Sequence, residues 1–247
     1  MHTHQEIIER LKDDKEYYAG LGKAYLSNSD IGLLLANPKG YGKPREDNKS
    51  FAEGRYFHKC LIEPHKVKDT PFVDVSSRNT KEYKNFCESH NYEFVLLKKE
   101  IEQVNSLVAT MKSNIQFFEA IYREGNQYEL PGVGDIHGQM WKGKADIVCD
   151  DMIIDLKTTS DIHKFKYSAR AYNYDSQCFI YEKLFGRPLV FFVIDKETSQ
   201  LGIFKPSESF VSGGEEKVKR AIAVYNKYFG PKPTDSIDNY YIDGTLE

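Results

Sequence analysis

Asp146, Asp155 and Lys157 stand close together in the segment 143–159, Gly-Lys-Ala-Asp-Ile-Val-Cys-Asp-Asp-Met-Ile-Ile-Asp-Leu-Lys-Thr-Thr. Two carboxylates and an ammonium at one place suit a hard divalent cation and a phosphate, with the lysine able to orient or deprotonate a water. The apolar, β-branched runs Ala145–Cys149 and Met152–Leu156 flank Asp150-Asp151, which reads as a hairpin. Asp146 is then expected near the start of the first strand and Asp155 near the end of the second, at the open end of the pair. Lys157 lies two residues beyond Asp155 and shares its face. A charged hairpin edge is the plain alternative. Against it, the run Met-Ile-Ile is apolar on both faces, and a buried strand that ends in charges ends at a cleft.

The elements that must position these residues follow from periodicity and punctuation. Residues 5–19 form an N-terminal arm or helix; Ser29 or Asn28 caps a helix Asp30–Ala36 that Pro38 ends; Asn37–Ser50 is loop. Helices are expected over Glu53–Ile62, Thr80–Ser89 and from Leu96 or Lys98 to about Glu124. Strands follow at Gln127–Leu130, Asp135–Trp141, Ala145–Cys149 and Met152–Lys157. A helix over about Ala171–Phe185, strands Leu189–Asp195 and Leu201–Lys205, and a helix over about Ser209–Tyr228 precede a loop-like tail from Pro231. Strands gathered between helical blocks predict an α/β fold, a central mixed β-sheet flanked by helices. The simplest parse is one domain over 1–247: an arm to 24, a core 25–205, and a helix with tail 206–247.

Composition narrows the function classes. The 247 residues are enough for one large core, and a net charge of −3 does not describe a general polyanion binder. No apolar run approaches a membrane span, and Met-His-Thr-His-Gln-Glu lacks the pattern of a signal peptide. Cys60, Cys87, Cys149 and Cys178 are scattered without a C-x-x-C pair, which fits a reducing cytoplasm. No glycine spacing for a dinucleotide or triphosphate loop appears.

Four segments carry a resemblance. Gly-Lys-Ala-Asp146 with Ile-Ile-Asp155-Leu-Lys157-Thr-Thr is similar to the core of the PD-(D/E)xK nuclease superfamily. Leu26-Ser-Asn-Ser29-Asp-Ile with Asn37-Pro38, Gly54-Arg-Tyr-Phe-His58-Lys-Cys-Leu-Ile-Glu-Pro64 and Gln177-x-x-x-Tyr181 resemble further motifs of its RecE-type (exonuclease VIII-like) phage and prophage exonucleases. The lambda-type exonucleases and the RecB nuclease domain are more distant. The likeness spans roughly residues 25–195. It implies a restriction-endonuclease-like core in which His58, Asp146, Asp155 and the carbonyl of Leu156 bind metal, with Lys157 catalytic. A further glutamate is implied at Glu129, with Glu124 as the competing assignment. Gln177 and Tyr181 share a helix face, read either as a buried tyrosine with an amide partner or as a face that contacts DNA or holds Lys157. Arg55 and Ser29 are candidates for a terminal 5′-phosphate, although Ser29 also explains itself as a cap. Thr158, Lys164, Lys166 and Arg170 are candidates for backbone phosphates, which a solvated basic face explains nearly as well.

The resemblance implies a Mg²⁺-dependent deoxyribonuclease, with Mn²⁺ able to substitute, that degrades linear double-stranded DNA 5′→3′ and leaves 3′ tails for recombination. Some relatives hold an iron–sulfur cluster; no cysteine follows Cys178, so none is expected here. A ring-shaped homo-oligomer, a single-strand annealing protein as partner, and a bacterial cytoplasm with a host or prophage gene are implied in the same way. The alternatives are a structure-specific or restriction-like endonuclease on this fold and an inactive DNA-binding module.

Overall fold

The computed structural model describes residues 3–44 and 46–244. The expected arm, loop 37–50, tail and single span 1–247 therefore include a few positions (1–2, 45 and 245–247) outside the described residues. Two short helices, α1 (His4–Leu11) and α2 (Asp14–Tyr18), form the arm. They are followed by α3 (Asn28–Ala36) and α4 (Lys49–Ile62). The cap of α3 is Ser27, not Ser29 or Asn28: the Asp30 carboxylate accepts from the Ser27 N–H and hydroxyl, both at 2.8 Å. α4 starts earlier than Glu53 because Asn48 caps it, accepting from the Phe51 N–H.

Strands β1 (Phe72–Val73) and β2 (Leu96–Leu97) pair in parallel on either side of α5 (Lys81–His90). The single helix expected from about 98 to 124 is two, α6 (Lys98–Ser113) and α7 (Ile115–Ile121). Asn114 breaks it by leaving helical dihedrals and capping α7 through the Phe117 N–H.

Among the described residues the main sheet has five strands in the order β3 (Gln127–Ile136), β4 (Gln139–Val148), β5 (Ile153–Thr159), β6 (Leu189–Asp195) and β7 (Leu201–Phe204). Three strands expected between 127 and 149 are thus two long ones. His137 and Gly138, both at positive φ, turn the chain where a strand Asp135–Trp141 was expected. Two left-handed central residues make the tight turn whose twist matches the strands. β5 and β6 run parallel and the remaining pairs antiparallel, so the sheet is mixed.

Every residue of β6 is buried, as a central strand requires. Its alternate side chains serve two cores: Val190, Phe192 and Ile194 pack with α4, α6 and α7, while Leu189, Phe191 and Val193 pack with Cys178 of α9 (Tyr174–Phe185) and Phe165 of α8 (Phe165–Ser168). α10 (Glu208–Tyr228) closes that second side with α3. Helix α9 comes unusually close to β3 and β4 because the facing pair Gly132 and Gly143 has no side chains there. A Cβ on Gly143 would lie 2.9 Å from the Tyr181 ring. Gly143→Ala is expected to destabilise by about 1–3 kcal/mol through overpacking. A urea midpoint unchanged from wild type would show that α9 yields freely.

Candidate active site

The strand register sets three carboxylates in one row. Tyr128 pairs with Ile147 and Leu130 with Ala145, so Glu129 of β3 lies opposite Asp146 of β4. Ile147 pairs with Ile154, so Asp146 in turn faces Asp155 of β5. Asp146 stands in the last third of a long strand rather than near the start of a short one, and it reaches the site by a different route than an open hairpin end. Only Ile147 and Val148 pair with β5; beyond them the two strands part. The Asp146 carboxylate fills the gap and accepts the Leu156 N–H at 2.8 Å, in place of a backbone carbonyl.

His58, on the inner face of α4, closes the site from above. Its Nε2 lies 2.8 Å from the Leu156 carbonyl and its Nδ1 3.5 Å from Asp146 Oδ1. When Nε2–H donates to that carbonyl, the Nδ1 lone pair is turned toward the acidic cluster, the arrangement that orients a metal-binding histidine. One nitrogen of His58 and one oxygen each of Glu129 and Asp146 lie within 4.8 Å of one another. Imidazole with carboxylates is a donor set for a divalent cation.

Electrostatics support that fit. Burial, then the neighbouring Asp146, push the Glu129 carboxyl up to about 8. Burial likewise raises Asp146, partly offset by His58. Two adjoining carboxyls that both resist ionisation are a site short of positive charge. Glu129 also sits at φ 48, the left-handed region, unusual for a glutamate within a strand. Asp155 Oδ2 is buried without a hydrogen bond and is contacted by the Lys157 ammonium. Burial alone would lower the lysine's pKa; Asp155 outweighs it and holds Lys157 above the usual lysine range, so it stays protonated.

Glu129 lies with His58 and Asp146, one ligand atom of each within 4.8 Å of the others, while Asp155 is contacted by Lys157 and the Leu156 carbonyl faces His58. Glu124 lies in a turn outside this cluster. Gln177 is buried, and its amide donates to Asp155 Oδ1 at 2.6 Å, so it positions a carboxylate from the interior. The Tyr181 hydroxyl donates to the Lys144 carbonyl at 3.0 Å. Arg55 and Thr158 line the groove beside His58 and Lys157, with Arg55 paired to Asp47. Ser29 lines a different cavity, with Lys142 and Lys144, which meets that groove at Tyr18. Lys164 pairs with Asp161 and Lys166 stands over the Tyr167 ring, neither lining the groove.

Sequence reasoning missed the arm's attachment to the site. Lys144 Nζ bonds Asp14 of α2 at 2.6 Å, and the buried Lys142 donates to the Tyr17 carbonyl, also at 2.6 Å. The signal was present: Lys142, Lys144 and Asp146 alternate along one strand.

Glu129 gives a pH prediction. A carboxyl whose folded value of about 8 exceeds its ordinary 4.5 favours the folded chain at low pH. That advantage is lost as pH rises from about 4.5 toward about 8. In EDTA, Glu129→Gln should therefore melt progressively higher than wild type across that range, by about 2–4 °C per kcal/mol relieved. Added Mn²⁺ should reverse the order, and a pH-independent gap would show that burial and the neighbouring Asp146 do not hold the Glu129 carboxyl up.

Comparison with known proteins agrees with this fold. Residues 33–233 match the family described as a PDDEXK-like domain of unknown function (DUF3799). A crystal structure of a candidate exonuclease from Eubacterium rectale superposes with a TM-score of 0.64, covering 95% of this chain and 96% of that one at 18% identity, a likeness of fold. A solved structure of SSO0001 matches 69% of this chain and 85% of its own at 14% identity, with a TM-score of 0.32. A search of curated proteins returns no match. With its mixed sheet, its acidic row and Lys157 at the end of β5, the chain belongs to the PDDEXK-like domain family and carries the PD-(D/E)xK nuclease fold.

Proposed function

We propose that the protein is a divalent-metal-dependent deoxyribonuclease that degrades linear double-stranded DNA from its ends, 5′→3′, leaving 3′ single-stranded tails for recombination. What carries the reading is the row Glu129–Asp146–Asp155 on adjoining strands, with His58 above it and Lys157 against Asp155. A divalent ion held by His58, Glu129 and Asp146, Mg²⁺ with Mn²⁺ as substitute, supplies Lewis-acid polarisation of the phosphate and lowers the pKa of a water.

The chain's own residues do the rest. Leu156 orients His58 through its carbonyl and Asp146 through its N–H. Gln177 fixes Asp155 from behind. Protonated Lys157 orients the attacking water by donating to it and offsets charge building on the phosphate oxygens. A phosphodiester is the substrate that uses all of these groups together.

The polarity and the requirement for an end rest on the likeness to RecE-type enzymes, as do a ring-shaped homo-oligomer and a single-strand annealing partner. A net charge of −3 supports retention on DNA by encirclement rather than by surface charge. Four free cysteines support a reducing bacterial cytoplasm, in a host or prophage setting.

The decisive assay sets end-labelled linear duplexes, with and without a 5′-phosphate, beside a closed circle. Mg²⁺ should drive loss of the linear forms alone, and EDTA should stop it. A cut circle would replace this reading with an endonuclease, and no cutting in Mg²⁺ or Mn²⁺ with a non-catalytic module. Lys157→Ala should lower the rate by about 10²–10³-fold while Mn²⁺ binding persists in calorimetry. Asp146→Asn should abolish that binding, and a Lys157→Ala protein of normal rate would refute the lysine's role.

A further inference from the structure

A groove of about 730 Å³ runs outward from His58 and Lys157. One wall is the face of α4 on which Phe51, Arg55 and His58 recur at helical spacing. The three positions span about 10 Å along the helix. The other wall carries Tyr174, whose ring lies 5.1 Å from Lys157 Nζ, and then Tyr172, 5.8 Å further from ring to ring. Tyr18 of α2 borders the groove from the arm. Phe51, Tyr172 and Tyr18 are 49%, 65% and 67% exposed, a high exposure for aromatic rings gathered on one cleft.

The groove's charges are largely spent internally. Arg55 is paired with Asp47, and Lys196 with Glu53 at 3.3 Å. A cleft built to hold a duplex by its backbone needs unpaired cations, since phosphate contacts dominate that affinity. Open ring faces offer something else: a platform for bases, each worth a large and sequence-tolerant increment. Within a duplex, bases are stacked on one another and cannot use it.

We propose that this groove binds an unpaired DNA strand, with its bases stacked on Phe51, Tyr172 and Tyr18 and its backbone led to the acidic row. The proposal rests on the nuclease reading for its substrate and deepens it: the strand to be cut enters already separated from its complement. Binding draws on stacking more than charge, so its salt dependence is shallow and its sequence preference weak.

The test is binding by the full-length protein in EDTA, where nothing is hydrolysed, to a single-stranded oligonucleotide carrying 2-aminopurine. Stacking should quench its fluorescence. Phe51→Ala and Tyr172→Ala should each weaken binding about 5- to 100-fold. Tyr172→Phe, which keeps the ring, should bind as wild type, and a duplex with cross-linked terminal base pairs should bind poorly. Equal binding by wild type and both alanine variants, with unchanged melting temperatures, would overturn the proposal. So would a cross-linked duplex held as tightly as the single strand. Binding is read without catalysis, so failure of one reading is distinguishable from failure of the other. A protein that stacks the strand yet cuts nothing in Mg²⁺ loses the nuclease reading and keeps this one. A nuclease whose alanine variants bind unchanged does the reverse.

Discussion

Like charges held at one level across three neighbouring strands are the constraint around which this molecule is arranged. Glu129, Asp146 and Asp155 occupy consecutive register positions, and two of them are buried enough to resist losing their protons. Such a row is unfavourable in an isolated chain, and the surrounding structure compensates it piece by piece. Lys157 stands against Asp155, Gln177 donates to the same carboxylate, and the Leu156 N–H donates to Asp146. What is left uncompensated is the space between Glu129, Asp146 and His58. On the proposed reading a divalent cation would complete it, and the repulsion within the cluster would then contribute to the ion's affinity.

The parting of β4 from β5 is the local feature that makes this possible. Continuous pairing would put backbone groups where the Asp146 carboxylate now lies. Separation after two pairs lets a side chain take over a ladder hydrogen bond and brings α4 within reach of the strand end through His58. The close approach of α9, permitted by Gly132 and Gly143, brings Gln177 to the opposite side of the row. α4 thus meets the row through His58 and α9 through Gln177, while apolar positions on both helices serve the cores on the two sides of the sheet.

Much of this was legible in the chain because the relevant signals are local. Asp155-Leu-Lys157 following an apolar run, the turn at Asp150-Asp151, β6 and the body of α9 need only neighbouring residues to be read. Glu129 was named from the resemblance; its place opposite Asp146 depends on a strand register that no local pattern fixes. The merging of the expected short strands into β3 and β4 was missed because Ile-His-Gly-Gln does not display the usual Asn-Gly or Asp-Gly turn, although His137 adopts the same left-handed geometry. Gln177 was left open between a buried amide partner and a face toward DNA or Lys157; its partner, Asp155, comes from the sheet, and such a contact is set by tertiary packing. Arg55 lines the groove while pairing with Asp47 of the preceding loop.

The left-handed backbone at Glu129 has an evolutionary consequence. A β-carbon in that conformation costs roughly 1–2 kcal/mol, and glycine or asparagine at the same position would be more comfortable. Selection for heat resistance alone would drift this position toward those residues and discard the carboxylate. If Glu129 holds the proposed ion, a lineage that keeps glutamate here is under pressure to keep that ion. On that proposal, position 129 separates, in any set of descendants, those still selected for catalysis from those retained for their scaffold.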